Sequence, residues 1–348
     1  MKRLTIRDVA KAAGVSTQTV SRVVNNHPDV APDTLVRVQN VIKDLGYAPD
    51  VLARSLIRGR SHSLGIVAYG LEFYGPSRLL TGIERQAAAM GYSITLNLVH
   101  QPELADVKPL LNTLQARRVD GVIWAIPEIG DNRVWSREIP ADASLPMVFV
   151  NGNPEKVRAP LVGIDNIAIG RLATAHLLAG GARKIGIVTG PSDWWEAQQR
   201  VAGWRQALDD FGLTPDDTWA APGDWSAESG RLAGLDLLQR HPELDAIFAS
   251  NDQMALGVMY AAHSLGKRIP DELSVVGVDN IPESSLFWPP LTSMRQRLRD
   301  AGAQAVQLVD ALIAQSDNPL QPEALTATLL QPELIGRGST RAVQAVQA

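Results

Sequence analysis

Apolar residues in the first 45 positions follow the spacing of three short amphipathic helices. The apolar face of the first predicted helix consists of Ile6, Val9, Ala10 and Ala13, and that of the second consists of Val20, Val23 and Val24. The third predicted helix starts near Pro32 and Asp33 and buries Leu35, Val38, Val41, Ile42 and Leu45. Gly14 and Gly46 end the first and third helices, since glycine readily takes the left-handed conformation of a helix C-cap. The pattern predicts a small all-helical unit.

From residue 62 onward, short apolar runs alternate with amphipathic segments. The runs predict strands at Leu64 to Tyr69, Ser93 to Val99, Gly121 to Ile126, Met147 to Asn151, Lys184 to Thr189, Asp245 to Ala249 and Ser274 to Val278. The segments predict helices at Ser77 to Met90, Val107 to Arg117, Ile167 to Leu178, Glu196 to Phe211, Ala227 to Arg240, Met254 to Leu265 and Arg297 to Ala314. Such alternation predicts an α/β fold with helices on both faces of parallel sheets. The strands are too many for one small sheet, so two lobes with a cleft between them are expected.

The polar residues of the second helix suit contact with DNA. Thr5 with Asp8 resembles a capping box, and Ser16 can cap the second helix. The outward side chains of that helix are Thr17, Gln18, Ser21, Arg22 and Asn25. Gln can form two hydrogen bonds with adenine and Arg with guanine in the major groove. The alternative at this point is a helical hairpin with a solvated polar face.

The charge distribution favours a nucleic-acid partner for the first part of the chain. Residues 1 to 60 hold ten Lys or Arg, five Asp and no Glu, which gives +5. The whole chain carries −4, so the other residues carry −9. A basic N-terminal part on an acidic body is typical of a DNA-binding unit attached to a domain that does not bind DNA.

Composition excludes several other classes of protein. There is no apolar run of about twenty residues and no export signal, so no membrane partner is expected and the protein is expected to be cytoplasmic. The absence of cysteine excludes disulfides, thiolate catalysis and Cys-ligated zinc. The six His are scattered, and the motifs of serine hydrolases, zinc proteases and P-loop enzymes are absent. An enzyme is therefore not expected, and neither a cofactor nor a metal is expected.

Residues 8 to 25 carry a specific family signature. They match D-V-A-x-x-A-G-V-S-x-x-T-V-S-R-V-x-N at every fixed position. The chain resembles the lactose/galactose repressor (LacI/GalR) family of transcription regulators, and the resemblance extends over about residues 3 to 340. It implies a helix-turn-helix headpiece at 1–48, a hinge helix and linker at 49–61, a two-lobed periplasmic-binding-protein-like body for effector binding and dimerisation at 62–340, and a tail at 341–348.

The resemblance gives roles to residues that bind operator DNA. Thr17 and Gln18 occupy the variable recognition positions, and Arg22 occupies the position of a common base contact. Ala53 and Leu56 match hinge-helix residues that enter the minor groove, where paired leucines separate a central base step. An isolated helix of about seven residues is unstable in water, so the hinge is expected to form only when two chains meet on an operator. The full DNA-binding set is Thr5, Ser16, Thr17, Gln18, Thr19, Ser21, Arg22, Asn25, Ala53 and Leu56.

Residues that follow the predicted strands suit a carbohydrate effector. Ligands of open parallel sheets bind beyond the carboxyl ends of the strands. Aromatic faces can stack on a sugar ring, while Arg, Asn and Asp can bond its hydroxyl groups. The chain also has eight Trp against five Phe and five Tyr. The predicted effector-binding residues are Tyr69, Tyr74, Pro76, Leu79, Trp124, Asn151, Trp194, Arg200, Trp225, Asn251 and Asp279.

Within the family, these segments are most similar to those of the lactose-responsive members. By that similarity Arg200, Asn251 and Asp279 would bond sugar hydroxyls, while Trp225, Pro76 and Leu79 would face the ring. The departures are Asn151 in place of an aspartate, Tyr69 in place of a serine, Leu298 in place of a pocket phenylalanine, and the additional Trp124 and Trp194. A galactoside is expected, although another glycoside or disaccharide could fit the altered pocket.

The sequence leads to an expected function and assembly. The C-terminal tail lacks the apolar heptads of a tetramerising helix, so a homodimer on a pseudo-palindromic operator is expected. The expected function is repression of a sugar-utilisation operon, relieved by a small carbohydrate. The alternatives are a corepressor-type regulator with a non-sugar ligand, and a sugar-binding receptor without a DNA function.

Overall fold

The computed structural model describes residues 4–24, 27–47, 60–102, 107–132, 145–157, 159–316 and 327–342. Contacts divide the chain into two compact units, Met1–His62 and Ser63–Ala348. The predicted hinge helix lies outside the described residues, together with three predicted DNA-binding residues. Those residues are Asn25, Ala53 and Leu56.

The described part of the first unit, residues 4–24 and 27–47, forms three helices around a small core. The helices are α1 (Ile6–Ala13), α2 (Thr17–Val24) and α3 (Pro32–Leu45). Val9, Val20 and Val38 have no exposed surface. Gly14 and Gly46 adopt φ values of +65° and +63° at the ends of α1 and α3, as expected for left-handed C-caps. Leu45 is 37% exposed, so its predicted burial is wrong: it lies in the last turn of α3, and the core is centred on Val38.

The second unit contains two six-stranded sheets, which define two lobes. The sheet of lobe 1 consists of β1 (Ser63–Ala68), β2 (Ser93–Leu98), β3 (Gly121–Ala125), β4 (Met147–Val150), β5 (Leu161–Ile164) and β11 (Ala327–Leu330). The sheet of lobe 2 consists of β6 (Ile185–Thr189), β7 (Ala220–Pro222), β8 (Ala246–Ala249), β9 (Ser274–Val278), β10 (Thr292–Arg295) and β12 (Glu333–Ile335). Their orders are β11-β5-β4-β3-β1-β2 and β12-β10-β9-β8-β6-β7. Neighbouring strands are parallel except for the antiparallel pair of β10 and β12.

The helices of the second unit pack on these sheets, and the chain passes three times between the lobes. Lobe 1 carries α4 (Tyr74–Ala89), α5 (Lys108–Ala116) and α10 (Leu298–Ser316). Lobe 2 carries α6 (Asn166–Ala179), α7 (Trp195–Asp210), α8 (Ala227–Arg240) and α9 (Asp252–Ser264). The crossovers join β5 to α6, β10 to α10, and β11 to β12. This is the two-lobed architecture expected from the sequence.

Three pairs of helices cross at glycines. A Cβ atom at Gly170 of α6 would lie 2.1 Å from the carbonyl oxygen of Arg200, and one at Gly203 of α7 would lie 2.2 Å from that of Ile167. The same reciprocal contact is made by Gly82 of α4 with Gly302 of α10, and by Gly230 of α8 with Gly257 of α9. Each pair of backbones therefore approaches more closely than any side chain at the crossing would allow.

The predicted strands and helices of the body are all present, with ends that differ by a few residues. Helix α4 begins at Tyr74 and not at Ser77, because Pro76 lies in its first turn, where no backbone N–H is required. The sequence did not predict β5, β7, β10, β11 and β12. These strands are three or four residues long and have no recognisable periodicity, and they were not distinguished by the apolar runs that identified the equally short β4 and β8.

Candidate DNA-binding and effector-binding sites

The recognition residues predicted on α2 lie on its accessible face. Thr17, Gln18 and Arg22 are exposed, and Thr19 and Ser21 are half-buried. The opposite face of the helix is fixed in the core of the unit through Val20 and Val23. The side chains that can read base edges are therefore presented by a helix whose orientation within its unit is set by packing.

Three of the predicted DNA-binding hydroxyls also hold helix ends. The Asp8 carboxylate accepts hydrogen bonds from the Thr5 backbone N–H (2.8 Å) and hydroxyl (2.7 Å). Ser16 Oγ accepts the backbone N–H of Thr19 at 3.0 Å and lies 2.9 Å from the Thr19 hydroxyl. Thr5, Ser16 and Thr19 thus set the starts of α1 and α2, whatever contact they make with DNA.

A cavity between the two lobes contains most of the predicted effector residues. It encloses about 720 Å³, including its open mouth. The predicted residues that line it are Tyr74, Pro76, Leu79, Asn151, Trp194, Arg200, Trp225, Asn251 and Asp279. They come from distant parts of the sequence and from both lobes, so the cavity exists only in the folded body.

Two predicted effector residues do not line this cavity. Trp124 is 2% exposed and packs against Phe149, with ring centroids 6.3 Å apart. It lies on β3, where both faces of the sheet are covered, so its expected contact with an effector is corrected to a core position. Tyr69 lies behind the cavity wall, with its ring centroid 6.3 Å from that of Trp194, and supports that residue.

Arg200 is a buried cation at the centre of the cavity wall. It is 5% exposed, its Nε donates to Asn166 Oδ1 at 2.9 Å, and its Nη1 donates to the Ser250 carbonyl at 2.5 Å. Burial lowers the pKa of the guanidinium, while the nearby Asp279 and Glu196 carboxylates raise it. Because Arg has five N–H donors, others remain to bond adjacent hydroxyl groups of a ligand.

Asp279 is the acidic partner of Arg200 in the cavity. It follows β9 with φ +108°, and its Oδ1 accepts the side-chain N–H of Gln296 at 2.5 Å. Burial raises the pKa of this carboxyl from 3.8 to about 7, against the opposing effects of Arg200 and Gln296. The carboxyl group can therefore change its charge near neutral pH. The Asp279 side chain bonds Gln296 and lines the cavity.

Asp252 fixes the loop that carries Asp279. Its buried carboxylate accepts hydrogen bonds from the hydroxyls of Ser284 (2.5 Å) and Ser293 (2.6 Å), and from the Ile281 backbone N–H (2.9 Å). Burial raises the pKa of Asp252 to about 6, and these bonds oppose the rise. The loop after β9 is thereby attached to α9 and β10.

Trp225 forms an aromatic wall of the cavity. Its backbone is in the left-handed region, and close packing of the indole holds it in place. Its φ is +74°, an uncommon value for a tryptophan, and its carbonyl oxygen accepts the side-chain N–H of Asn251 at 2.9 Å. A Cβ atom at Gly190 would lie 2.1 Å from the indole ring. The guanidinium of Arg200 lies 5.5 Å from the ring centroid. Asn251 also caps α9, since its Oδ1 accepts the Met254 backbone N–H at 2.7 Å, and it lines the cavity.

Trp194 joins the two lobes at the other side of Trp225. Its ring packs edge-on against Trp225 at 5.5 Å and against Phe73 of lobe 1 at 5.9 Å. Aromatic contacts therefore run from Arg200 over Trp225 and Trp194 to Phe73. The cavity has a charged, hydrogen-bonding end and an aromatic end.

Two residues that line the cavity each carry a buried polar atom without a hydrogen-bond partner among the described residues. These atoms are Trp225 Nε1 and Asn151 Oδ1. One is a donor and the other is an acceptor, and buried polar groups in proteins are almost always bonded.

Sequence analysis did not place several lining residues in the effector set. These residues are Phe73, Gly75, Ala125, Pro127, Val150, Glu196, Gln253 and Gln296, while Leu298 lines the cavity where the resemblance implies a pocket phenylalanine. Gln296 had no distinguishing signal, because β10, which it follows, has no recognisable periodicity. Phe73 and Glu196 follow predicted strands beside predicted site residues, and this position along the chain predicts them at the cleft.

The described residues contain no group of three or more His, Asp or Glu arranged to hold a metal ion. In the same part of the chain, every helix is too short or too polar to cross a membrane.

Two family models match the chain. One describes bacterial regulatory proteins of the lacI family and matches residues 5–50. The other describes a periplasmic binding protein-like domain and matches residues 174–340. The matches cover the unit that carries α2 and much of the body that carries the cavity.

Relatives and solved structures align with nearly the full chain. The ribose operon repressor of Escherichia coli K12 is 35% identical over 96% of this chain and 99% of its own length. The repressor PurR of Haemophilus influenzae PittEE is 33% identical over 97% of this chain and 99% of its own. A lac repressor dimer bound to operator and the anti-inducer ONPF has a TM-score of 0.86 at 31% identity, covering 98% of this chain and 100% of that one. A complex of the regulator CelR with cellobiose has a TM-score of 0.70 at 29% identity, covering 97% and 100%.

Proposed function

Because the chain belongs to the LacI family of bacterial regulatory proteins, we propose that it is a transcriptional repressor of a sugar-utilisation operon. As a homodimer it binds a pseudo-palindromic operator in the cytoplasm through the residues of α2 and the hinge segment at 49–61. It releases the operator when a small carbohydrate, a galactoside or another glycoside, binds in the cavity between the lobes.

The observation that supports this function is the presence of two different sites in one chain. One unit presents exposed Gln18 and Arg22 on a helix, and the other encloses a cavity with a buried cation, a carboxyl group and indole rings. A sugar-binding receptor without a DNA function would leave the first unit without a role.

The cavity chemistry favours a carbohydrate over a purely apolar or highly charged ligand. Arg200 and Asp279 can bond neighbouring hydroxyls, while Trp225 and Trp194 offer apolar surface to the C–H groups of a ring. The opposite charges of Arg200 and Asp279 largely balance, so a neutral ligand needs no counter-charge. Structures named as complexes of related proteins with cellobiose and ONPF are in accord with this class of ligand.

The effector acts by shifting a conformational equilibrium. The cavity residues come from both lobes, so a ligand that bonds both favours the arrangement in which the lobes approach each other. The ligand can weaken operator binding only to the extent that it prefers that arrangement. The difference in affinity between the two arrangements sets the maximum induction.

The proposal is tested by operator binding with and without sugars. Full-length protein is expected to bind a palindromic fragment from its own genome, with an affinity that falls steeply as salt rises. A thermal-shift screen of mono- and disaccharides identifies ligands, and a sugar that raises the melting temperature should also release the operator. The repressor proposal fails if no genomic palindrome is preferred over random duplex with or without sugars.

The corepressor alternative makes a different prediction for operator binding. The same titration separates the two, because a corepressor would tighten operator binding and an inducer would weaken it. As part of the proposal the protein is not an enzyme. No turnover of nitrophenyl glycosides is expected, since the cavity is assigned to binding alone.

Effector affinity is expected to depend on pH through Asp279. The pKa of about 7 means that the carboxyl is ionised above neutral pH and protonated below it. Protonation removes the charge that balances Arg200 and replaces an acceptor with a donor, so affinity should fall by up to about tenfold from pH 8 to pH 6, the limit for one proton per site. Titration calorimetry measures this change, and Asp279→Asn should bind more weakly with little dependence on pH. A flat profile in the parent protein would contradict the assignment.

Asp279 also makes the stability of the fold depend on pH, and its contribution falls as pH rises, whereas effector affinity is expected to increase. Its pKa in the folded chain exceeds the value of 3.8 expected when unfolded. Its contribution to the free energy of unfolding is therefore largest below about pH 4 and is lost as pH rises through 7.

A surface of lobe 2 is expected to contribute to the homodimer. Tyr260 and Trp288 are 62% and 93% exposed, and Leu256 and Leu286 are also exposed. Removal of a large aromatic anchor from an interface typically costs about 2 kcal/mol or more, so Trp288→Ser should raise the dimer dissociation constant about 30-fold or more. Sedimentation velocity measures this constant. Phe211→Ser, which removes another exposed aromatic residue, is the control and should leave the dimer intact.

A further inference from the structure

A short backbone bridge connects the lobes beside the cavity. Ile129, in the loop after β3 of lobe 1, forms an antiparallel bridge with Trp194, which precedes α7 of lobe 2. The Gly130 N–H donates to the Asp193 carbonyl at 2.9 Å, and the Trp195 N–H donates to the Glu128 carbonyl at 2.9 Å. We refer to residues 128–130 and 193–195 as the interlobe latch. The three crossovers are continuous polypeptide, whereas the interlobe latch consists of hydrogen bonds that break when the lobes separate.

The lobe 1 half of the latch is fixed within its own lobe. The Asn132 side-chain N–H donates to the carbonyls of Pro102 (3.0 Å) and Pro127 (2.9 Å). The buried carboxylate of Glu128 accepts the Asn153 backbone N–H at 2.6 Å and pairs with Lys156 at 3.0 Å. These contacts hold the loop in position without any help from lobe 2.

The lobe 2 half is likewise fixed within lobe 2. The Trp194 N–H donates to the Pro191 carbonyl at 3.1 Å, and the Trp194 carbonyl accepts the Gln198 N–H at 3.1 Å. The Gln198 side chain donates to the Ser192 carbonyl at 2.8 Å. Each half of the latch is therefore ordered before the two meet, so little conformational entropy is lost when they pair.

The residue at the middle of the latch also lines the cavity. Trp194 is held by the bridge through its backbone, and its ring contacts Phe73 and Tyr69 of lobe 1 and Trp225 of lobe 2. Hydrogen bonds weaken steeply beyond normal length, so a separation of the lobes by a few ångströms would break both latch bonds and remove Phe73 from Trp194. Closure of the cleft and completion of the aromatic end of the cavity are thus one event.

We propose that the interlobe latch is the closure element of the effector site, which holds Trp194 over the bound ligand and sets how slowly the ligand leaves. This inference rests on the proposed function, since it assigns a regulatory role at the same cavity. Glu128 acts in the latch as a positioning residue. Its carboxylate holds the loop through Asn153 and Lys156, and its backbone carbonyl thereby faces the Trp195 N–H of lobe 2.

Position 195 allows one latch bond to be removed with a matched control. Trp195 is the first residue of α7, where proline fits, and Trp194 has φ −84° and ψ 126°, which proline tolerates in the preceding residue. Trp195→Pro therefore removes the N–H that bonds Glu128 and places a methylene group there. Trp195→Ala removes the same indole but retains the N–H.

The first measurement needs no effector. Hydrogen exchange of the Gly130 amide in the full-length protein is expected to be about fivefold faster in Trp195→Pro than in Trp195→Ala, which corresponds to the loss of about 1 kcal/mol from the closed arrangement. Equal exchange in two folded variants would overturn the latch.

A second variant does not depend on the tolerance of proline. Residues directly opposite each other in such a bridge have Cα atoms about 4.5 Å apart, within the range of a disulfide. The chain contains no cysteine, so Ile129→Cys with Trp194→Cys would introduce a single possible pair. Mild oxidation is expected to link them, and reduction to reverse the link. Failure to form the disulfide, with each single variant as control, would also overturn the proposal.

The effect on the ligand distinguishes the latch from the proposed function. Lactose and cellobiose are the probes, and the one that binds the parent protein is expected to dissociate about fivefold faster from Trp195→Pro than from Trp195→Ala. Equal dissociation rates would refute the closure role. If neither sugar nor any member of the thermal-shift screen binds the parent protein, the effector function fails, while the exchange and disulfide results still decide whether the latch exists.

Discussion

Replacement of Arg200 by Ala is expected to abolish the response to effector while the protein still binds its operator. The guanidinium is the buried cation of the cavity and bonds Asn166 and the Ser250 carbonyl. Its loss removes ligand contacts and leaves the Asp279 carboxyl without the charge that lowers its pKa. A hydrogen bond to a charged group contributes about 1.5–3 kcal/mol, so the loss of one such bond to the ligand should lower effector affinity by about 10- to 150-fold. Operator-release titrations with the sugar found by thermal shift measure this loss.

A matched control and a double variant separate binding from stability. Arg205→Ala removes an exposed arginine of the same helix, which pairs with Asp217, and should leave the response unchanged. Asp279→Asn should lower effector affinity much less in the Arg200→Ala background than in the parent protein, because the two groups act on each other. Additive losses would show that Arg200 and Asp279 do not form a unit. Normal release in Arg200→Ala would place the effector site elsewhere.

Replacement of Arg22 by Ala is expected to produce the largest loss of operator recognition. Arg22 is exposed on α2, and an arginine that forms two bonds to guanine contributes about 1–3 kcal/mol of discrimination between bases. The specific affinity should therefore fall by about 5- to 150-fold, with a smaller change in binding to random duplex. Fluorescence anisotropy with operator and scrambled fragments measures both quantities.

Lys43→Ala provides the comparison for Arg22. Lys43 lies in the last turn of α3 and carries the same charge within the same unit. It should alter the affinities for operator and scrambled DNA by a similar, smaller factor, if it alters them at all. Equal loss of specificity in the two variants would contradict base reading by Arg22. Both residues are exposed, so the melting temperature should change little in either variant.

The fold was predictable where local signals and packing coincide. Gly14 and Gly46 end helices because only glycine takes the left-handed C-cap without strain, and that requirement is visible in the sequence. The strands β5, β10 and β11 lead into the crossovers, and their short runs of residues have no periodicity of their own. Their pairing is decided by strands far away in the chain, which local patterns cannot reveal.

The candidate site likewise has some features that local sequence predicts and others that only the folded chain determines. The rule that ligands bind beyond strand ends predicts Asn151 and Asp279 at the cleft, and both line the cavity, whereas Arg200, in the middle of α7, was identified by the family resemblance. The rule could not distinguish Trp124 from Trp194, because whether an indole faces a cavity or a core depends on what covers the sheet. The interlobe latch likewise depends on two loops that meet only in the folded body.

The glycine crossings have a consequence for how the sequence can diverge. At Gly170, Gly203 and their counterparts in the other helix pairs, even a methyl group would collide with backbone atoms. These glycines are not among the predicted DNA-binding residues and do not line the cavity, so a change of operator or of sugar places no new requirement on them. Saturation mutagenesis should find these glycines among the least replaceable sites of the body. Relatives with quite different specificities are expected to retain them, because the helix pairs of the fold require them.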